Sequence, residues 1–324
     1  MKKSILALAV LAAVTGTAAA QSNVTVYGIV DVSLSRATSS IAPSITSVDS
    51  GNWYGSRLGF KGSEDLGGGL TVNYQLENGF SADTGNLGQS GRIFGRHAWV
   101  GIKGDFGALR FGRSWTPTYC ALTDVIDPFE DGMAGAAASF FGRNTFTAID
   151  IRMQNAIFYA KTLGPLTASV AYSLGEVAGN SSANSQLSST FTYVAGPLTT
   201  VFGYNDVNNV TGTGSAKLTF IGANYNFGPA RLHFGLDRQK TDLAGVTTTD
   251  ASDMLIGLTV PVGAGRILAS YNRLDDKTVA NLDSHKLAIG YTYAMSTRTT
   301  LYTSYGHVNT NDANRFNVGI RHKF

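Results

Sequence analysis

Four carboxylates crowd into one stretch of this sequence, Asp124, Asp127, Glu130 and Asp131, and three arginines that could face them stand far apart at Arg57, Arg96 and Arg152. Opposed fixed charges of this kind need not make or break bonds. Arginine stays ionised and holds a planar fork, so guanidinium groups across a narrow wet gap from carboxylates set up a transverse field. Rings of charged side chains are a common source of ion selectivity. The residues of covalent chemistry are dispersed by comparison: the five histidines, His97, His233, His285, His307 and His322, share no local motif, whereas hydrolytic triads bring Ser, His and an acid or amide together. Cys120 is the single cysteine, so no intrachain disulfide can form. Loop acids without a His cluster or an EF-hand spacing give no expectation of a metal or of any cofactor. The residues therefore point to a protein that is not an enzyme.

The four acids lie in residues 114–149, SWTPTYCALTDVIDPFEDGMAGAAASFFGRNTFTAI, which keep neither strand alternation nor a sustained helical period. A connection of that length in a compact chain is usually functional or disordered. Trp115, Tyr119, Phe129, Phe140, Phe141 and Phe146 make a solvated tail a poor fit. The stretch is expected to be an ordered loop with something around it.

The rest of the chain says what that something is. Lys2 and Lys3, an apolar run over residues 5–14 and Ala18-Ala19-Ala20 before Gln21 form a secretory signal, residues 1–20, with cleavage expected after Ala20. The run is too short to cross about 30 Å of hydrocarbon as a helix. Losing its two lysines takes the formal charge of +3 close to neutral, which gives no sign of a nucleic-acid partner. With 38 glycines, 14 tyrosines, 17 phenylalanines and no long amphipathic helical pattern, the mature chain, 21–324, reads as all-β.

Val24, Val26, Val30, Val32 and Leu34 alternate with Thr25, Tyr27, Asp31, Ser33 and Ser35, and Leu70, Val72, Tyr74 and Leu76 with Thr71, Asn73, Gln75 and Glu77. Period two gives each strand one apolar and one polar side. Seven short turns rich in Gly, Pro and Asp take turns with eight longer loops, at about 37–52, 82–91, the acidic stretch, 175–186, 207–215, 241–250, 275–282 and 308–313, separating sixteen strands. Short turns on one rim and long loops on the other predict a 16-stranded antiparallel transmembrane β-barrel. A soluble sandwich has no reason for its loop lengths to take turns. At about 16 strands the interior holds water. The last strand fits, with Phe316, Val318, Ile320, His322 and Phe324 on one face and Asn317, Gly319, Arg321 and Lys323 on the other.

A wide wet barrel needs a constriction, and the third long loop, about 114–149, is the one connection long enough to fold into the lumen. Leu58 and Phe60 point outward, so Arg57 and Lys61 point inward by alternation. For Arg96 either phase of its strand can be argued, and Arg152 lies at a boundary uncertain by a residue or two. Three wall arginines outnumber the loop acids that can be placed at the narrowest point, which predicts a modest preference for small anions. The alternatives are a substrate-specific channel and, less favoured, a barrel enzyme. Most tyrosines and phenylalanines fall on the outward phase, which does not encourage a stacking slide along the lumen.

GSRLGFKGSEDLGGGL, RHAWVGIKGDFGALRFGR and the C-terminal Phe324 resemble the general diffusion porins of Gram-negative outer membranes, most closely the anion-selective branch. The resemblance runs over the whole mature chain. It implies an outer-membrane location among its lipids, a passive route for small hydrophilic solutes and ions, and a homotrimer whose second long loop reaches a neighbour. It also implies a wall of Arg57, Arg96 and Arg152 facing loop acids, and a terminal Phe324 read by barrel-assembly machinery. Where the family has Pro-Glu-Phe this chain has Pro128-Phe129-Glu130-Asp131, leaving open which of Asp127, Glu130 and Asp131 is nearest the pore axis.

Overall fold

The computed structural model describes residues 23–141, 151–278, 280 and 282–324, so the signal segment and Phe146 lie outside the described residues. Its strands are β1 (Asn23–Thr38), β2 (Ile45–Ser50), β3 (Arg57–Gly67), β4 (Leu70–Gly79), β5 (His97–Gly104), β6 (Gly107–Trp115), β7 (Arg152–Leu163), β8 (Leu166–Ser173), β9 (Gln186–Ala195), β10 (Leu198–Asn208), β11 (Gly214–Asn226), β12 (Arg231–Leu243), β13 (Val246–Val262), β14 (Gly265–Asp276), β15 (Ser284–Ala294), β16 (Thr299–Val308) and β17 (Ala313–Lys323). Apart from β2 and β3, which both lie on β1, sequence neighbours pair antiparallel, and β1 closes the ring on β17 with Val30 opposite His322 and Leu34 opposite Val318.

The other edge of β1 is shared. Ile29 stands opposite Arg57 of β3 and Val32 opposite Ser50 of β2, so residues 51–56 bulge out between two halves of one wall position. With that position counted once, the barrel has sixteen. Two expected loops are shorter than the sequence suggested. Residues 45–50 of the first pair back on β1. The Val- and Thr-rich flank of the sixth extends the β12–β13 ladder to Leu243 opposite Val246, leaving Ala244 and Gly245 at the tip. At the other rim Gly164 and Gly196 turn with φ of +57 and +55, left-handed values that favour glycine.

Alternation becomes an inverted amphipathic wall. Val24, Val26, Leu34, Phe316, Val318 and Ile320 are exposed, while Asp31, Ser33, Ser35 and Asn317 are buried on the opposite face. A closed ring satisfies its backbone internally and presents the apolar side to lipid, as a spanning barrel must.

The third loop begins as a short helix, α1 (Pro117–Ala121), with Pro117 in its first turn and the Thr116 hydroxyl accepting the Tyr119 N–H at 3.1 Å. It continues through a wider turn, Leu122–Ile126, and two 3-10 turns, Met133–Gly135 and Ala137–Ser139. These pieces pack successively on β8–β10, β10–β12 and β15–β17. Leu122, Val125, Ile126 and Phe141 cluster with Val201, Leu218, Phe220 and Leu255, and Phe129 and Met133 with Trp53, Leu268 and Tyr302. Wall glycines make the approach possible. A Cβ added at Gly222 or Gly235 would overlap Ile126, one at Gly257 Pro128, one at Gly290 Phe129 and one at Gly306 Ala134.

Candidate functional site

Three arginines separated by most of a hundred residues converge because they stand at or just before the starts of β3, β5 and β7, alternate strands of one stretch of wall. Arg57 opens β3 directly after the 51–56 bulge, and its Nε donates to the Gly55 carbonyl at 2.9 Å. Arg96 precedes β5 and donates from Nε to Glu77 Oε1 at 2.7 Å. Arg152 opens β7 and donates from Nε to the Arg96 carbonyl at 3.1 Å. Glu77, 2% exposed, is the acid shared by Arg96 and Arg57: Arg57 Nη1 lies 3.9 Å from the same oxygen, and Tyr27 donates its hydroxyl to the other at 2.7 Å. Three guanidinium groups lining one cavity, two of them paired with a single carboxylate, leave the wall an excess of positive charge.

The two arginines that sequence left open are explained by local geometry. Arg96 lies in a bend before the first residue of β5, so strand parity does not govern it. Beside Arg152, the β6–β7 ladder shifts register between Gly112 and Ser114, and Asn155 takes φ +51. Lys61 lies further along β3 from Arg57, with its ammonium 5.1 Å from the Tyr27 ring centre, outside the trio.

The four loop acids separate into different roles. Asp127, 2% exposed, accepts the backbone N–H groups of Phe129, Asp131 and Ala137, each at 2.9 Å, so its charge is spent folding the loop. Glu130 reaches back to the wall, 3.4 Å from Arg266 Nη1. Asp131 accepts the Ala138 N–H at 3.1 Å, and burial, then the neighbouring Asp127, push its carboxyl up to about 6. Asp124 has an exposed surface, but its carboxyl is partly enclosed by the loop and wall, and this desolvation raises its pKa. A cavity of about 350 Å³ is lined by Arg57, Arg96 and Arg152 on one side and by Asp124, Glu130 and Asp131 on the other.

Sequence reasoning singled out neither Glu77, nor Arg266 and Arg321, nor the bulge. Glu77 and Arg321 already stood on the polar phases of their strands, so their direction was readable but not their partners. Arg321 lies 4.0 Å from the Trp53 ring centre and 4.8 Å from that of Tyr54, so the bulge is clamped by a cation on its aromatic faces. Two more tryptophans stand beside arginines, Trp99 with Arg110 at 5.1 Å and Trp115 with Arg96 at 5.9 Å. At the seam, Phe324 and Gly28 exchange backbone hydrogen bonds at 3.0 and 3.1 Å. Among the described residues no group of three or more His, Cys, Asp or Glu is placed to hold a metal ion.

Comparison with known proteins agrees with this fold. A model of the Gram-negative porin family matches residues 7–313. The chain is 35% identical to outer membrane porin protein 32 of Delftia acidovorans over 97% of this chain and 91% of that protein. It is 28% identical to an outer membrane porin protein of Bordetella pertussis over the full length of both. An anion-selective porin from Comamonas acidovorans superposes with a TM-score of 0.83 at 28% identity, covering 94% of this chain and 100% of that one.

Proposed function

Since this chain belongs to the Gram-negative porin family and is an outer-membrane porin, we propose that its channel passes small hydrophilic solutes and ions passively and prefers anions modestly. The observation that carries the preference is the Arg57–Arg96–Arg152 trio, with Glu77 pairing Arg57 and Arg96, across a cavity from loop carboxylates of which Asp127 is bound within the loop and Glu130 is paired with Arg266. In a narrow passage with low-dielectric walls such an imbalance raises the local anion concentration. In this reading residues 114–149 narrow the lumen and the trio sets the field at the narrowest point. The functional unit is a homotrimer, the second long loop reaches a neighbour, residues 1–20 are removed on export, and Phe324 is presented to the assembly machinery. The anion selectivity of the Comamonas porin supports the sign.

The test is the zero-current potential of refolded protein in a planar bilayer under a salt gradient. An anion-signed potential with three equal conductance steps is expected, and Arg57→Glu moves the potential toward cations. A cation-signed potential in the unaltered protein overturns the charge assignment, and absence of conductance from folded protein overturns the channel.

A further inference from the structure

Arg110, on the inward side of β6, is a cation with unspent donors. Its guanidinium lies 5.1 Å from the Trp99 ring centre and 5.4 Å from that of Phe158. Among the described residues no ion pair and no side-chain hydrogen bond includes it. A guanidinium carries five N–H donors, and those of Arg110 have no protein acceptor among the described residues, so they are open to a solute. The same group lines a cavity of about 210 Å³ between α1 and the wall, where the hydroxyl-bearing Thr190 and Thr192 also stand.

An acid lines that cavity too. Asp124 receives one weak hydrogen bond, from Thr123 Oγ1 at 3.3 Å. It lies beyond the 4.0 Å of an ion pair with Arg110. An anion alone would meet the Asp124 carboxylate, and a cation alone would leave Arg110 unanswered. A molecule carrying both charges on neighbouring atoms answers both. We propose that this cavity is a subsite for a small zwitterionic solute of the amino-acid class, its carboxylate on the Arg110 fork and its ammonium on Asp124. The subsite rests on the channel reading above, because solute reaches it through the lumen.

Cys120 lines the same cavity and is the only cysteine, so it reports occupancy. The experiment times its modification by the small neutral reagent methyl methanethiosulfonate in the reconstituted protein, with L-serine, acetate or methylammonium at equal concentration. Serine is expected to slow modification by about threefold or more at a concentration a few times its dissociation constant, with acetate and methylammonium each doing much less. Arg110→Gln removes the protection, and Arg110→Lys, which keeps the charge without the fork, retains part of it. Equal protection by acetate and serine overturns the zwitterion, and so does absence of protection. Burial pushes the Cys120 thiol up to about 12, so where modification is too slow to time, the same comparison is read from block of the single-channel current by serine, and absence of block overturns the subsite. A cation-signed potential with intact serine protection sinks the anion reading and leaves this one standing; an anion-signed potential without protection does the reverse.

Discussion

Glu77 governs how far the arginine trio can act on a passing ion. It accepts hydrogen bonds from Arg96 and Tyr27, lies 3.9 Å from Arg57, and is buried. Removing one partner of a buried charge network typically costs about 3–5 kcal/mol, because the other charges are left uncompensated. Glu77→Gln is therefore expected to lower the urea midpoint of the barrel in detergent and, in those channels that form, to increase anion preference. A fall in anion preference would show that Glu77 does not oppose the trio. Asp131 provides a second handle. Its carboxyl, on the loop and outside the spanning strands, is raised from 3.8 to about 6 by burial and by Asp127. As pH falls through 6 it takes a proton and one negative charge leaves the cavity, so anion preference should rise between pH 7 and 5. Asp131→Asn should flatten that step. The linked stability has a definite sign: the folded acid holds its proton more tightly than the unfolded one, so this contribution is present below 3.8 and is lost as pH rises through 6. At this scale the sequence was legible where a strand fixes direction, as for Arg57. It was not legible at Arg96, where the strand has not begun, nor at Asp127, whose three acceptor bonds depend on a loop fold that no period announces.

The third loop is held by shape as much as by charge. Ile126, Pro128, Phe129 and Ala134 sit against wall positions that carry no side chain, and Trp53 of the bulge closes on Phe129 and Met133 from the far side. Gly290→Leu places a side chain where the Phe129 ring now lies, and overpacking of this kind typically costs about 1–3 kcal/mol. If residues 114–149 narrow the channel, the outcome is a larger single-channel conductance with weaker selectivity from barrels that still fold. An unchanged conductance from folded Gly290→Leu would contradict the narrowing role. The strands and the order of short and long connections were readable because period two and turn chemistry are local signals. The bulge was not, because residues 51–56 interrupt a strand whose continuity is visible only in its pairing with β1. The sixth loop was overestimated for the opposite reason: Thr and Asp read as loop, yet Thr suits a strand and the ladder runs on to Leu243 and Val246.

Taken whole, the molecule is an inside-out protein whose apolar surface is solvated by lipid and whose interior holds its polar and charged groups, and the seam between Gly28 and Phe324 leaves no open edge. Tryptophan is commonly enriched at the membrane interface, but here the exposed aromatic side chains are tyrosine and phenylalanine, such as Tyr159, Tyr193, Phe202 and Tyr293. The chain has 3 tryptophans, and each stands beside an arginine on the inner side of the wall: Trp53 by Arg321, Trp99 by Arg110, Trp115 by Arg96. The protein's tryptophan emission therefore originates on the inner side of the wall and hardly at all from the lipid boundary. Iodide should dim that emission more steeply than caesium at matched ionic strength, and a brominated lipid should dim it little. The steepness ratio of the two ions would then read the charge preference of the interior optically, in a cuvette, with no voltage applied.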